Sequence, residues 1–208
     1  EDGRSQFKLL GHTRVIYFPI PDPPKPSQLT FHNAFLDVSE CDKIMSLADN
    51  VEPYVATVQN EEPGSSRIDK GIRDVTSWGV WYSTDTDWIF KKIYEQVAAD
   101  NETNFRFDIA GIFSGLSLLR YQQEQHYEWH NDVGSGDTST RKLSVVIMLS
   151  ENFTGGDLVL TQGVSQHIAM RQGNMVVFPS YVLHKVTPVE EGDRWSLVAW
   201  IQGIKPFR

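Results

Sequence analysis

Cysteine is almost absent. Cys41 stands alone, so no disulfide can form within the chain and the fold must rest on its core. Long apolar runs are missing as well: none approaches the roughly 20 residues that a membrane-spanning helix needs. No signal peptide is visible at the start, which reads Glu1-Asp2-Gly3 rather than Met. Positive charge is in deficit. With 19 Lys and Arg against 27 Asp and Glu, the formal net charge is −8, the opposite of the basic footprint on which phosphate-tracking proteins depend. Together these shortages point to a reducing, cytoplasmic setting, with neither nucleic acid nor membrane as partner. Oligomeric state leaves no mark in the sequence. Apolar residues are plentiful: 40% of 208 positions are hydrophobic and 12% aromatic. That suits one packed domain, below the roughly 250–300 residues at which a single core stops growing.

Residues 1–30 read as an arm. Pro19, Pro21, Pro23, Pro24 and Pro26 impose extended backbone there and forbid a helix. The plain reading is a linker or edge segment; a proline-rich ligand for another domain is the sharper one. Residues 31–208 read as one domain. A helix is expected after Ser39, with Ile44, Leu47, Ala48 and Val51 facing the core and Pro53 ending it. A strand is expected over 55–58, a polar loop over 60–70 and a strand over 75–81. A longer helix over 87–102, opened by Thr84-Asp85-Thr86-Asp87, turns Ile89, Ile93 and Val97 inward. Beyond Phe105 the pattern is short strands between glycine turns, at 115–121, 142–149, 157–160, 165–169, 174–178, 184–188 and 194–201. That rhythm predicts an α+β, mainly β fold, a sandwich or jelly roll rather than a doubly wound sheet. Residues 143–149 are apolar on both faces and belong in a sheet centre.

The chemistry gathers around His130-x-Asp132. An imidazole and a carboxylate two residues apart at a strand end share a face and can grip one ion. Far downstream His184 closes an apolar run, and Arg194 follows it. Two histidines and one carboxylate occupy one face of an octahedral ion and leave its other positions open, the ligand set of non-haem Fe(II) oxygenases. Any single histidine is more often a core or surface residue than a ligand. His12, His32, His126 and His167 keep that reading. Arg73 reads as a solvated cation at a strand start, against a rival role on a substrate or cosubstrate carboxylate.

Leu119-Arg120-Tyr121, Tyr127-x-x-His130-x-Asp132, Leu143-Ser144 and Gly155-Gly156-Asp157-Leu158 arrive in order. His184-x-Val186-x-Pro188-Val189, Arg194-Trp195-Ser196 and Trp200-Ile201-Gln202 follow. This ordered set, spread over residues 31–204, resembles the 2-oxoglutarate- and Fe(II)-dependent dioxygenases, in particular the prolyl 4-hydroxylase-like, PKHD-type group. The resemblance implies a double-stranded β-helix (jelly roll) with supporting N-terminal helices. It implies Fe(II) held by His130, Asp132 and His184, with 2-oxoglutarate and O2 as cosubstrates and ascorbate as a reductant. It assigns Arg194 to the distal carboxylate of 2-oxoglutarate, with Ser196, Tyr121 and Ser144 as further cosubstrate contacts. Tyr127 and Trp200 are implied to line a substrate pocket, and Arg141 to meet substrate or simply solvent. Trp129 alternates with His130 and should face away from the metal. The implied reaction is hydroxylation of an unactivated C–H with release of succinate and CO2, on a prolyl residue of a protein or peptide. Hydroxylation of a free amino acid or other small molecule and a non-catalytic jelly-roll binding module stay open. A nucleic-acid demethylase is disfavoured by the acidic balance and by the lack of a second arginine near Arg194.

Overall fold

Alternate residues of a strand face opposite ways, and along residues 194–202 the two sets keep different company. Leu197, Ala199 and Ile201 pack with the helices, whereas Val198 packs with a second sheet. This division organises the computed structural model, which describes residues 29–59, 66–161 and 163–207. All but the last two residues of the proline-rich arm lie outside those ranges, and Thr30 opens the first strand.

In chain order the strands are β1 (Thr30–His32), β2 (Tyr54–Val55), β3 (Val58–Gln59), β4 (Ser66–Arg67), β5 (Arg73–Asp74) and β6 (Thr76–Val80). After these come β7 (Leu116–Tyr121), β8 (His126–His130), β9 (Arg141–Met148), β10 (Phe153–Gly155) and β11 (Leu158–Thr161). The last are β12 (Ser165–Ile168), β13 (Met175–Pro179), β14 (Leu183–Val186), β15 (Val189–Gly192) and β16 (Arg194–Gln202). Helix α1 (Val38–Met45) follows β1, and α2 (Asp87–Asp100) follows β6. The fold is α+β and mainly β. A seven-stranded sheet runs β1-β13-β9-β16-β7-β6-β2, and a five-stranded sheet runs β12-β11-β14-β8-β5. Neighbouring strands in both are antiparallel.

One face of the larger sheet is covered by the helices, through Ile44 of α1 and Ile89, Ile93 and Val97 of α2 against Leu118, Val145 and Leu197. Its other face meets the smaller sheet, where Leu119, Val146, Phe178 and Val198 pack on Leu158, Leu160 and Val186. β9 lies between β13 and β16 and is buried from Lys142 to Met148, as its two-faced apolar run predicts.

Helix α1 begins earlier than Ser39. Its cap is Asp37, whose carboxylate accepts from the Glu40 amide (2.8 Å) while the Glu40 carboxylate accepts from the Asp37 amide (3.0 Å). Three residues after Asp37 stands Glu40, whereas Ser39 is followed by the shorter Asp42, and the Asp37–Glu40 pair satisfies two otherwise unbonded amides. At α2 the cap is Thr86, but its hydroxyl donates to the Trp81 carbonyl (2.7 Å) and not to the helix. The strand expected over 55–58 is two short strands, β2 and β3, in different sheets.

The downstream strands fall at nearly the expected bounds, with one consequential omission, β8. In its sequence His-Tyr-Glu-Trp-His the aromatic pair alternates with polar residues, but an irregular pairing with β14 sends Tyr127 to the cavity and leaves Trp129 exposed. Its inward face lines a cavity instead of filling a core, so that alternation marks no core face. The turn between Gln172 and Asn174 depends on Gly173, whose φ is +81° and whose missing Cβ would lie 2.1 Å from the Leu36 carbonyl oxygen. Only glycine fits there, and its carbonyl accepts from the Leu36 amide (3.0 Å), tying the entry of α1 to β13. Among the described residues, no helix is long and apolar enough to cross a membrane.

Candidate metal centre

β8 and β14 are paired so that His130 and His184 stand directly opposite each other. Their rings are 4.1 Å apart between centroids. Just past β8 the Asp132 amide donates to the Ser180 carbonyl (2.9 Å), which turns the chain back toward β14. The Asp132 carboxylate then lies 3.8 Å from Nε2 of His130 and 3.6 Å from Nε2 of His184. The ligand atoms of the three residues lie within 4.8 Å of one another.

The backbone fixes which imidazole nitrogen faces the centre. Nδ1 of His130 is 2.8 Å from the Glu128 carbonyl and Nδ1 of His184 is 2.9 Å from the Val182 carbonyl. A carbonyl only accepts, so each Nδ1 carries the proton and each Nε2 turns a lone pair inward. Burial, with His184 close by, pushes His130 down to about 3, so its ring is neutral. Burial opposes the charge on Asp132, but the two imidazoles and a hydrogen bond from Ser144 outweigh it and hold the carboxyl below its usual range. Two imidazole nitrogens and one carboxylate converging from one side suit Fe(II) and leave the opposite positions for other ligands.

Ser144 departs from its expected role. It does not line the cavity. Its hydroxyl donates to Oδ2 of Asp132 at 2.5 Å and lies 3.0 Å from that of Ser180. These bonds place it behind the Asp132 carboxylate, which it orients. The Ser144→Ala variant is expected to bind Fe(II) about tenfold more weakly, within the range for partners that orient metal ligands. Anaerobic iron titration measures this.

The triad sits at one side of a cavity of about 460 Å³. β16 supplies one wall through its inward alternation Arg194, Ser196, Val198 and Trp200. Arg194 is 1% exposed. One of its amino groups, Nη1, donates to Oγ of Ser196 at 3.0 Å, while Nε and Nη2 have no partner among the described residues. Burial lowers its pKa, yet a guanidinium keeps its charge. A buried cation with two unpaired donors is stable only against an anion, and a carboxylate matches its fork. Gly156 makes room for it, since a Cβ there would lie 2.7 Å from Cδ of Arg194. Tyr121 stands opposite Arg194 across the β7–β16 pair, with its ring 5.2 Å from the guanidinium carbon and its phenol raised by burial. The cavity thus offers a metal site and a separate carboxylate site, which fits a chelating dicarboxylate such as 2-oxoglutarate.

Tyr127, Trp200 and Arg141 also line the cavity, as expected. The Tyr127 ring stacks on His130 at 3.4 Å, and burial pushes its phenol up to about 12. Arg141 lies 3.8 Å over the Trp200 ring. Trp129 does face outward, with Lys185 above its ring at 5.1 Å. His126 sits between the Glu124 and Gly71 carbonyls, His32 pairs with Asp100 and His167 with Asp157. His12 lies outside the described residues. Arg73 overturns its reading as a solvated cation. It lines the cavity, lies over the Tyr127 ring at 4.7 Å and has a buried Nε without a partner among the described residues. Pairing of β5 with β8 places it there, and β8 is the strand the sequence conceals.

A family model described as the 2OG-Fe(II) oxygenase superfamily matches residues 116–202, the stretch from β7 through β16. A PKHD-type hydroxylase of Synechococcus elongatus is 34% identical over 128 residues, 56% of this chain and 57% of that protein. The chain spans about half the length of the curated relatives it matches. Among solved structures, a prolyl-4-hydroxylase of Pseudomonas putida superposes with a TM-score of 0.67 at 21% identity, covering 84% of this chain and 92% of that one. A prolyl hydroxylase of Trichoplax adhaerens, in complex with a hypoxia inducible factor oxygen degradation domain peptide fragment, superposes with a TM-score of 0.70 at 16% identity. That match covers 97% of this chain and 94% of the other. At these identities the solved structures speak to the fold alone.

Proposed function

We propose that this chain is an oxygenase of the 2OG-Fe(II) superfamily, whose family model matches residues 116–202, and that it hydroxylates an unactivated C–H bond of a prolyl residue in a protein or peptide. The observation that carries the reading is the pairing, in one cavity, of the His130–Asp132–His184 cluster with the buried, unpaired guanidinium of Arg194. The prolyl choice draws support from the likeness to prolyl hydroxylases, one of them bound to a peptide. We read the two facing sheets as a double-stranded β-helix with its open end at β8 and β14.

Iron, when bound, would activate O2 as the oxidant, with 2-oxoglutarate giving up two electrons as it loses CO2 and the C–H bond the other two, so that one oxygen atom would go to succinate and one to substrate. The chain's own work is positional. His130, Asp132 and His184 would hold the metal, and Ser144 holds the Asp132 carboxylate in its aim. Arg194 would take the distal carboxylate of 2-oxoglutarate. Ser196 accepts from Nη1 of Arg194, so its own proton is free for the same carboxylate. Val146, Leu158, Val186 and Val198 wall the cavity with apolar surface and exclude water. A hydroxylase of free amino acids or other small molecules is the second reading, favoured by Arg73 and Arg141 in the cavity.

The test is succinate formation from 2-oxoglutarate by protein loaded with Fe(II) without air and then exposed to O2 and ascorbate, with and without a proline-rich peptide. Iron-dependent succinate that rises with the peptide is the expected result. Succinate indifferent to the peptide transfers the proposal to small substrates. Bound iron with no succinate under either condition overturns the oxygenase.

A further inference from the structure

Among the described residues, three arginines line the cavity, Arg73, Arg141 and Arg194, and one carboxylate, that of Asp132. Taking the oxygenase reading as its basis, the local charges can be assigned in turn. Fe(II) is offset by Asp132 and by part of the charge on 2-oxoglutarate, and the remainder of that charge is offset by Arg194. Arg73 and Arg141 are left over. Neither forms an ion pair among the described residues.

Both are held in place without being neutralised. Arg73 is fixed by its stack on Tyr127, which itself stacks on His130, and by a bond from Nη1 to the Thr57 carbonyl (3.1 Å). Arg141 is fixed by its stack on Trp200 and by a bond from Nη1 to the Asp132 carbonyl (3.4 Å). A guanidinium laid flat on a ring keeps its edge donors available for bidentate pairing. Nε of Arg73 and Nε1 of Trp200 are buried without a partner among the described residues. The walls therefore offer unpaired donors and positive charge. Unpaired donors in a partly dry site favour an acceptor-rich, anionic occupant and reject its neutral analogue.

We propose that the substrate presents a carboxylate to Arg73 and Arg141 beside the C–H bond to be hydroxylated. Arg73 lies one stacked ring from the ligand His130, and Arg141 bonds the backbone of the ligand Asp132, so the anion is held close to the reacting centre. The group is either the α-carboxylate of a free amino or imino acid or an acidic side chain next to the reacting residue of a peptide.

The experiment is calorimetric titration, without air, of protein loaded with Fe(II) and saturating 2-oxoglutarate. The probes are matched acid and amide pairs: propionate and propionamide, L-proline and L-prolinamide, and amidated Pro-Asp and Pro-Asn dipeptides. Carboxylates are expected to bind at least tenfold tighter than their amides, and the R73Q and R141Q variants to lose that preference. L-Proline above Pro-Asp identifies the free acid, and the reverse order identifies the peptide side chain. Equal binding of acids and amides, no carboxylate binding at all, or an unchanged preference in both variants overturns the proposal. Titration of 2-oxoglutarate into each protein beforehand separates this failure from that of the oxygenase reading, which would show as no iron-dependent 2-oxoglutarate binding.

Discussion

Replacing Asp132 by alanine is expected to abolish hydroxylation and to weaken Fe(II) binding by more than ~100-fold, beyond the range seen when only the partners of metal ligands are changed. Among the described residues, Asp132 is the sole carboxylate lining the cavity and the sole anion in the cluster. Without it the two rings still turn their lone pairs inward, because the Glu128 and Val182 carbonyls hold them. They would then face a doubly charged ion with no negative charge to offset it. The fold should survive. Ser144 and Ser180 keep each other as hydrogen-bond partners at 3.0 Å, and a buried carboxylate is itself expensive to desolvate. Metal-free Asp132→Ala protein should therefore melt no lower than metal-free parent. Iron titration and thermal unfolding, run on the same preparation, check the two halves. Full hydroxylation by the variant would remove Asp132 from the metal site and the triad with it.

The legibility of this site in the sequence followed the physics of each element. β16 was readable because one of its faces packs against helices and the other carries Arg194, Ser196, Val198 and Trp200 toward the cavity, so strict alternation marked both. β9 was readable because it is apolar on both faces and central. The triad stood out through His130-x-Asp132 and a distant histidine, which are local patterns of residue type. What stayed hidden depended on pairing across the fold. Arg73 enters the cavity only because β5 pairs with β8, and β8 lacks an apolar face. Ser144 was rightly placed near the site, but its partner is set by which end of β9 lies behind Asp132, and no spacing encodes that. The cap of α1 was only half legible, since Asp37-x-x-Glu40 and Ser39-x-x-Asp42 both have the capping spacing and the fold uses the first.

Arg194→Met is expected to raise the concentration of 2-oxoglutarate needed for half-maximal turnover far more than it lowers the rate at saturation. Truncating one member of a buried hydrogen-bonded ion pair costs about 2–5 kcal/mol, and each ~1.4 kcal/mol is tenfold, so the rise is on the order of 30-fold or more. The same substitution should act in the opposite direction on the ligand-free protein. There Arg194 is 1% exposed, with Nε and Nη2 unpaired among the described residues, so its charge is a burden that only a bound anion relieves. Methionine has a similar reach, carries no charge and lies against the same apolar walls. The variant is therefore expected to unfold at a higher temperature than the parent when no ligand is present. It should also lose the upward shift that 2-oxoglutarate gives the metal-loaded parent, about 2.7 kcal/mol at a hundredfold excess over Kd. Thermal unfolding with and without 2-oxoglutarate reads both signs in one series. A variant that melts lower when empty, yet keeps the full ligand-induced shift, would mean that Arg194 braces β16 against β7 and that the distal carboxylate is bound elsewhere.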